Sequence, residues 1–235
     1  MILSAPVYRL KREARLLARR DGIALAEALD RMAAIEGFAN WSLLAARHAA
    51  ERPAARVYPS LREGELVLVA ARPGHGKTLF ALELALEALR AGRRAAVFSL
   101  EYTAAQIAER IRAIGGSERE LAALALDTSD RVDADRVAAA LDDAPAGTLA
   151  VIDYLQLLDQ RRENPPLDRQ IAALRAFARR RGVVLVFVAQ VDRAFEATGR
   201  SLPGSDDIRL PNPLDLSLFD RRCFLHGGAM RVEAG

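Results

Sequence analysis

Ala71-Arg72-Pro73-Gly74-His75-Gly76-Lys77-Thr78 follows an apolar run at residues 66–70 and precedes a helix-forming run at residues 79–86. That order predicts a phosphate-binding loop between a buried strand and a helix. In such a loop, successive backbone N–H groups point inward and cradle phosphate oxygens. Gly74 and Gly76 allow a backbone geometry and a close approach that a side chain blocks. Lys77 is placed to reach the β- and γ-phosphates, and the Thr78 hydroxyl to ligate Mg²⁺. Arg72, Pro73, His75 and Leu79 complete the candidate nucleotide-binding set. The expected ligands are ATP and Mg²⁺. The common pattern has glycine where Ala71 stands, so the bare motif is missed by one position. Composition argues the other way, because Lys11 and Lys77 are the only lysines among 34 Lys+Arg residues. A chain that otherwise uses arginine keeps lysine where a compact ammonium is needed.

From residue 61 onward, apolar strand patterns alternate with helical ones. Strands are expected at 66–70, 95–100, 149–153, 183–189 and 222–225, with a short one near 124–126. Helices are expected at 77–90, 104–114, 134–141 and 168–181. Apolar strands alternating with helices imply a parallel sheet covered on both faces. The nucleotide is expected at the carboxyl edge of that sheet. Residues 160–167 and 198–214 show no clear pattern, and long irregular loops in a compact α/β domain are often functional.

The first 50 residues read differently. Helices are expected at 9–20 and 23–36, with Asp21-Gly22 between them and Gly37 ending the second. Asn40 caps a third helix through Trp41, Leu43 and Leu44. The first helix is basic. A solvated charged face accounts for this, and contact with phosphates is the alternative. Phe38, Trp41 and Tyr8 read as core of this module rather than as base-stacking groups. Pro53 and Pro59 mark residues 51–60 as a linker. The domains are therefore expected at 1–58, a small helical module with its linker, and at 59–235, the α/β domain.

The bulk numbers set outer limits. A chain of 235 residues with 51% hydrophobic content can bury a sizeable core. The formal net charge of +3 and the pI of about 9.4 permit a nucleic-acid partner without demanding one. Cys223 is the only cysteine, which excludes a disulfide framework and fits a cytoplasmic location. The N-terminus does not read as a secretory signal, and the run at 183–189 is too short to span a bilayer, so no membrane role is expected.

Three more strand ends carry polar groups. Ala150-Val151-Ile152-Asp153 ends in an acid placed to hold Mg²⁺. Phe98-Ser99-Leu100-Glu101 ends in a carboxylate placed to deprotonate an attacking water. Ala189-Gln190 ends in a neutral amide able to sense the γ-phosphate and reposition the loop behind it. Together with the phosphate loop and Asp153-Tyr154-Leu155-Gln156, these strings resemble the motor domain of DnaB-type replicative helicases, within the RecA-like ATPases. Order and spacing match from about residue 61 to Glu196, and Asp207-Ile208-Arg209 is a fainter echo of the family.

The resemblance implies a RecA-like P-loop NTPase that forms a homo-oligomer, most simply a six-membered ring, and acts on single-stranded DNA. It makes Lys77 and Thr78 the triphosphate and Mg²⁺ ligands, Glu101 the general base, Asp153 the Mg²⁺-linked acid and Gln190 the sensor. The loop at 193–210 would line a central channel. The family's helical collar, linker helix and basic arginine-finger segment are not recognisable here. Arg221, Arg222 and Arg231 are the remaining finger candidates. A RecA-like ATPase switch that assembles on a protein partner without unwinding DNA is the alternative function.

Overall fold

The computed structural model describes residues 3–5, 7–50, 52–129, 132–159, 165–210 and 212–235. The chain divides into two compact units, residues 1–56 and 57–235.

Among the described residues, the smaller unit is built mainly on α1 (Val7–Asp21), α2 (Leu25–Ile35) and α3 (Trp41–Ala50). Leu10, Ala14, Ala28, Met32, Ala33 and Leu44 form its core, with Phe38 and Trp41 packed against it. Gly22 and Gly37 take positive φ at the two breaks, where a left-handed residue turns the chain. Asn40 caps α3 by accepting the Leu43 N–H at 2.9 Å. The Tyr8 side chain lies outside the described residues. Across the stretch read as a linker, the chain forms a short helix, α4 (Pro53–Val57), and one 3₁₀ turn, Tyr58–Ser60. Pro53 opens α4, a position where its missing N–H costs nothing.

The larger unit is an α/β domain built on one seven-stranded sheet. Its strands are β1 (Leu66–Ala71), β2 (Ala95–Ser99), β3 (Leu124–Asp127), β4 (Leu149–Asp153), β5 (Val184–Gln190), β6 (Arg221–His226) and β7 (Ala229–Ala234). The order is β3-β2-β4-β5-β1-β6-β7. All neighbours are parallel except the final β6–β7 hairpin. Every residue of β1, β2 and β4 is buried. Strands covered on both faces by helices have no polar face, hence their continuous apolar runs.

The helices are α5 (Lys77–Arg90), α6 (Ala104–Ala113), α7 (Glu118–Ala123), α8 (Ala134–Ala140) and α9 (Leu167–Arg181). The short α7 was not anticipated, although Ser117 and Glu120 form a reciprocal capping box around its first turn. In the irregular segment 160–167, residues 160–164 lie outside the described residues. The segment 198–214 holds one 3₁₀ turn, Ser205–Asp207, and is pinned by an antiparallel bridge between Val191 and Ile208. After β1 the chain crosses to β2 on one side. After the adjacent β5 it crosses to β6 on the other. The two connections run in opposite directions across the sheet, and ligands of parallel α/β sheets bind at the carboxyl ends of the strands. Among the described residues, no helix is long and apolar enough to cross a membrane.

Candidate functional site

The loop between β1 and α5 lies at that carboxyl edge. Gly74 and Gly76 have φ of +82° and +88°, and no atom lies within 4 Å of a Cβ built on either. Their requirement is therefore torsional, and the space above them is open. The His75 N–H donates to the Arg72 carbonyl at 3.1 Å, closing the turn. Lys77 and Thr78 open α5 and are buried, while Leu79 is half-buried and Pro73 exposed.

The tips of β2 and β4 meet this helix start, and the tip of β5 ends beside Ala71. Lys77 Nζ lies 3.6 Å from Glu101 Oε2 and 5.7 Å from the Tyr154 ring centroid. Ser99 and Asp153 are paired in register at the ends of β2 and β4. Ala71 and Gln190 are paired likewise at the ends of β1 and β5. Asp153 is 2% exposed, and neither carboxylate oxygen has a partner at full hydrogen-bond geometry, although the Thr78 hydroxyl is close enough to favour its charged form. Burial pushes its pKa up to about 6. Lys77 and the Thr78 hydroxyl work against that rise, and Glu101 adds to it. A buried carboxylate left unpaired is costly unless a cation completes it. The donor set of Asp153 and Thr78, hard oxygens beside an open anion cradle, fits Mg²⁺.

This arrangement predicts an unusual stability profile. The folded pKa of Asp153, about 6, lies above its ordinary 3.8, so the folded chain holds the proton more tightly. The cost of burying the charge is fully present above pH 6 and relieved as pH falls toward 4. Asp153→Asn removes that charge. Without ligand, the variant is expected to be more stable than the parent at pH 8, by up to about 3 kcal/mol, since one pKa unit is worth about 1.4 kcal/mol. The gain fades toward pH 4, and Mg²⁺ with nucleotide reverses the order. Urea unfolding at pH 8, 6 and 4, with and without Mg²⁺-nucleotide, checks this. A ligand-free variant less stable than the parent at pH 8 would make Asp153 a structural residue.

Arg72 does not stand free in the loop. Its Nε pairs with Glu196 Oε1 at 2.8 Å, and its Nη1 donates to the Val191 carbonyl at 3.2 Å. It thereby ties the phosphate loop to the 3₁₀ turn Arg193–Thr198 that follows Gln190. The His75 ring stacks on His226 at 4.4 Å and accepts the Gly227 N–H at 3.2 Å. Burial, with His226 and Arg72 beside it, holds the His75 pKa below its usual value. The Gln190 carbonyl accepts the Arg209 N–H at 2.8 Å, and the Gln156 amide donates to the Arg209 carbonyl at 2.6 Å. Arg72, Gln190, Asp192, Arg193 and Arg209 line a cleft of about 320 Å³.

Sequence reading passed over Tyr102, Arg110 and the clasp made by Gln156. The string Asp-Tyr-Leu-Gln carried the signal for Gln156. Nothing in the sequence marked the other two, which meet only in three dimensions.

The sequence profile of the AAA domain family AAA_25 matches residues 33–198. The chain belongs to this AAA domain family. The match contains the phosphate loop and all three strand tips, so this AAA domain is a P-loop ATPase domain of RecA-like α/β fold. The replicative DNA helicase DnaB of Helicobacter pylori is 28% identical over 207 residues, 73% of this chain. The chain spans 42% of that relative's length. Among solved structures, a DnaB-like replicative helicase studied with primase superposes with a TM-score of 0.57 at 21% identity, covering 69% of this chain and 47% of the other. A solved ATPase domain gives 0.58 at 20% identity, covering 77% and 81%. A KaiC-like protein from Pyrococcus horikoshii OT3 gives 0.51 at 17%, covering 68% and 70%. The solved structures share the fold of this AAA domain, and the Helicobacter pylori DnaB also shares sequence with it.

Proposed function

We propose that the chain hydrolyses ATP to drive movement along single-stranded DNA, as a cytoplasmic homo-oligomer built on the DnaB plan. The observation that carries the reading is the meeting of Glu101 and Asp153 with Lys77 and Thr78, while Gln190 ends the strand paired with Ala71 at the head of the phosphate loop.

In this reading, the backbone N–H groups of Gly74, Gly76, Lys77 and Thr78 and the Lys77 ammonium hold the triphosphate. Thr78 and Asp153 would hold Mg²⁺, which when bound offsets phosphate charge. Glu101 takes a proton from water. The water oxygen bonds to the γ-phosphorus, and the bond from that phosphorus to the bridging oxygen breaks, leaving ADP and phosphate. In the ligand-free chain Lys77 faces Glu101 instead of phosphate. Triphosphate binding would draw Lys77 away and leave the carboxylate free to accept a proton. Gln190, on the strand end paired with Ala71, would sense loss of the γ-phosphate. The clasp from Gln190 to Arg209, and from Arg72 to Glu196, would carry that change into the loop at 193–210. The arginine-lined cleft beside Gln190 supports an anionic polymer as the partner of that loop.

The second reading is a RecA-like switch that assembles on a protein partner without unwinding DNA. It is favoured by the absence, among the described residues, of an arginine spare for the γ-phosphate within the phosphate loop, where Arg72 is engaged by Glu196. The separating experiment measures ATPase rate with and without single-stranded DNA, paired with mass by light scattering with and without nucleotide. Stimulation by DNA and an ATP-tightened oligomer, most simply a hexamer, are expected. An assembly that forms with ATP but ignores DNA would favour the switch.

A further inference from the structure

Tyr102 follows Glu101 directly, at the start of the turn into α6. Three contacts fix it. Its backbone N–H donates to the buried Ser99 Oγ at 3.1 Å. Its ring lies under the Arg110 guanidinium, 3.8 Å from carbon to centroid. Its hydroxyl donates to Glu101 Oε1 at 3.0 Å. Arg110 is itself steadied by donating to the Gln106 carbonyl at 3.1 Å, one turn back along α6.

Glu101 is thus held at both oxygens in the ligand-free chain, Oε1 by Tyr102 and Oε2 by Lys77. The two restraints differ in kind. Lys77 is a flexible ammonium at 3.6 Å that a triphosphate would recruit. The tyrosine is rigid beyond two torsions and is clamped from the opposite side by Arg110. We propose that Tyr102 is a positioning residue that holds one oxygen of the Glu101 carboxylate so that the other is aimed at water. The inference rests on Glu101 being the general base.

The physical need is plain. Glu101 lies on a loop and is more than a third exposed, so unrestrained it samples several rotamers. A base must lie within hydrogen-bond reach of the proton it takes, and orientation alone carries large rate factors. Burial, with the Glu101 charge beside it, pushes the Tyr102 hydroxyl pKa upward, so it stays a donor at neutral pH. Arg110 stacked on the ring face adds a cation–π contact that fixes the plane of the phenol.

The test uses the full chain and Tyr102→Phe, which keeps the ring and its Arg110 stack and deletes only the hydroxyl. Affinity for a fluorescent ATP analogue is expected to match the parent's, which also certifies the fold. Turnover is expected to fall about tenfold, the scale of one hydrogen bond to a charged group. In a Glu101→Gln background the same change is expected to cost nothing further, because residues acting through one another are non-additive. Parental turnover in Tyr102→Phe, with Glu101→Gln inactive, overturns the inference and leaves the base in place. An undiminished tenfold loss in the double variant also overturns it, since Tyr102 would then act elsewhere. Parental turnover in Glu101→Gln instead removes the reading on which the inference rests.

Discussion

Glu101→Gln leaves nucleotide binding intact and lowers ATP turnover by roughly 10²- to 10⁴-fold, the usual range for loss of a positioned general base. The side chain keeps its size and one acceptor oxygen, but an amide takes no proton near neutral pH. The ligand-free structure adds a sign to the binding side of this prediction. Glu101 competes with the triphosphate for Lys77, at 3.6 Å. Removing that competitor frees the ammonium, so affinity should stay level or tighten by a small factor, as expected for a partly exposed ion pair worth roughly 1 kcal/mol or less. Equilibrium titration with a nucleotide analogue and single-turnover hydrolysis measure the two halves separately. Parental turnover would return Glu101 to the role of a charge near the start of α6.

Arg231→Ala is expected to abolish turnover while sparing both nucleotide binding and assembly. An arginine supplied to the γ-phosphate by a neighbouring subunit is worth about 10³–10⁵ in rate. The structure separates the three candidates by what already holds them. Arg221 is forked onto Glu65 at 2.8 and 3.3 Å and onto the Ser60 carbonyl at 2.6 Å. It stands level with Val67, near the amino end of β1, and acts as a strap across the sheet. Arg222 donates to the Ala234 carbonyl at 3.0 Å, within its own hairpin. Arg231 lies on the edge strand β7, with its side chain 46% exposed. It touches Glu233 at 3.0 Å and the Pro203 carbonyl at 2.9 Å. The Glu233 pair is solvent-accessible and exchanges at little cost, while the Pro203 contact is part-buried. Mixing Arg231→Ala subunits with Lys77→Ala subunits should restore part of the activity, because each variant keeps the half-site the other lacks. A chain that stays monomeric with ATP and DNA yet turns over at full rate would sink this assignment.

Much of the fold was legible because its signals are local. The apolar runs that became β1, β2, β4 and β5 are uninterrupted, as strands buried on both faces must be. Gly74, Gly76, Lys77 and Thr78 announced a phosphate loop because the backbone geometry and charge it needs are supplied by adjacent residues. The boundary between the two compact units falls at residues 56 and 57, inside the stretch that Pro53 and Pro59 mark as a linker. The helical α4 and the 3₁₀ turn within it have only local causes, because proline at a helix start is compatible with both. Helix α7 was missed because six residues carry too little periodicity, although its Ser117–Glu120 box was there to be read.

The chain's sequence by itself determined which groups could do chemistry: a lysine and a threonine at a glycine-bearing turn, and an acid or amide at each of three strand ends. Tertiary structure alone decided how those groups are poised. Parallel register set Ser99 beside Asp153 and Ala71 beside Gln190. Packing closed around Asp153, and that burial raised its pKa. Residues far apart in sequence then met, Arg72 with Glu196, His75 with His226, and Gln156 with Arg209. The reason is that backbone conformation and hydrophobic period are written in neighbouring residues. Desolvation and charge pairing depend on which distant surfaces the sheet brings into contact.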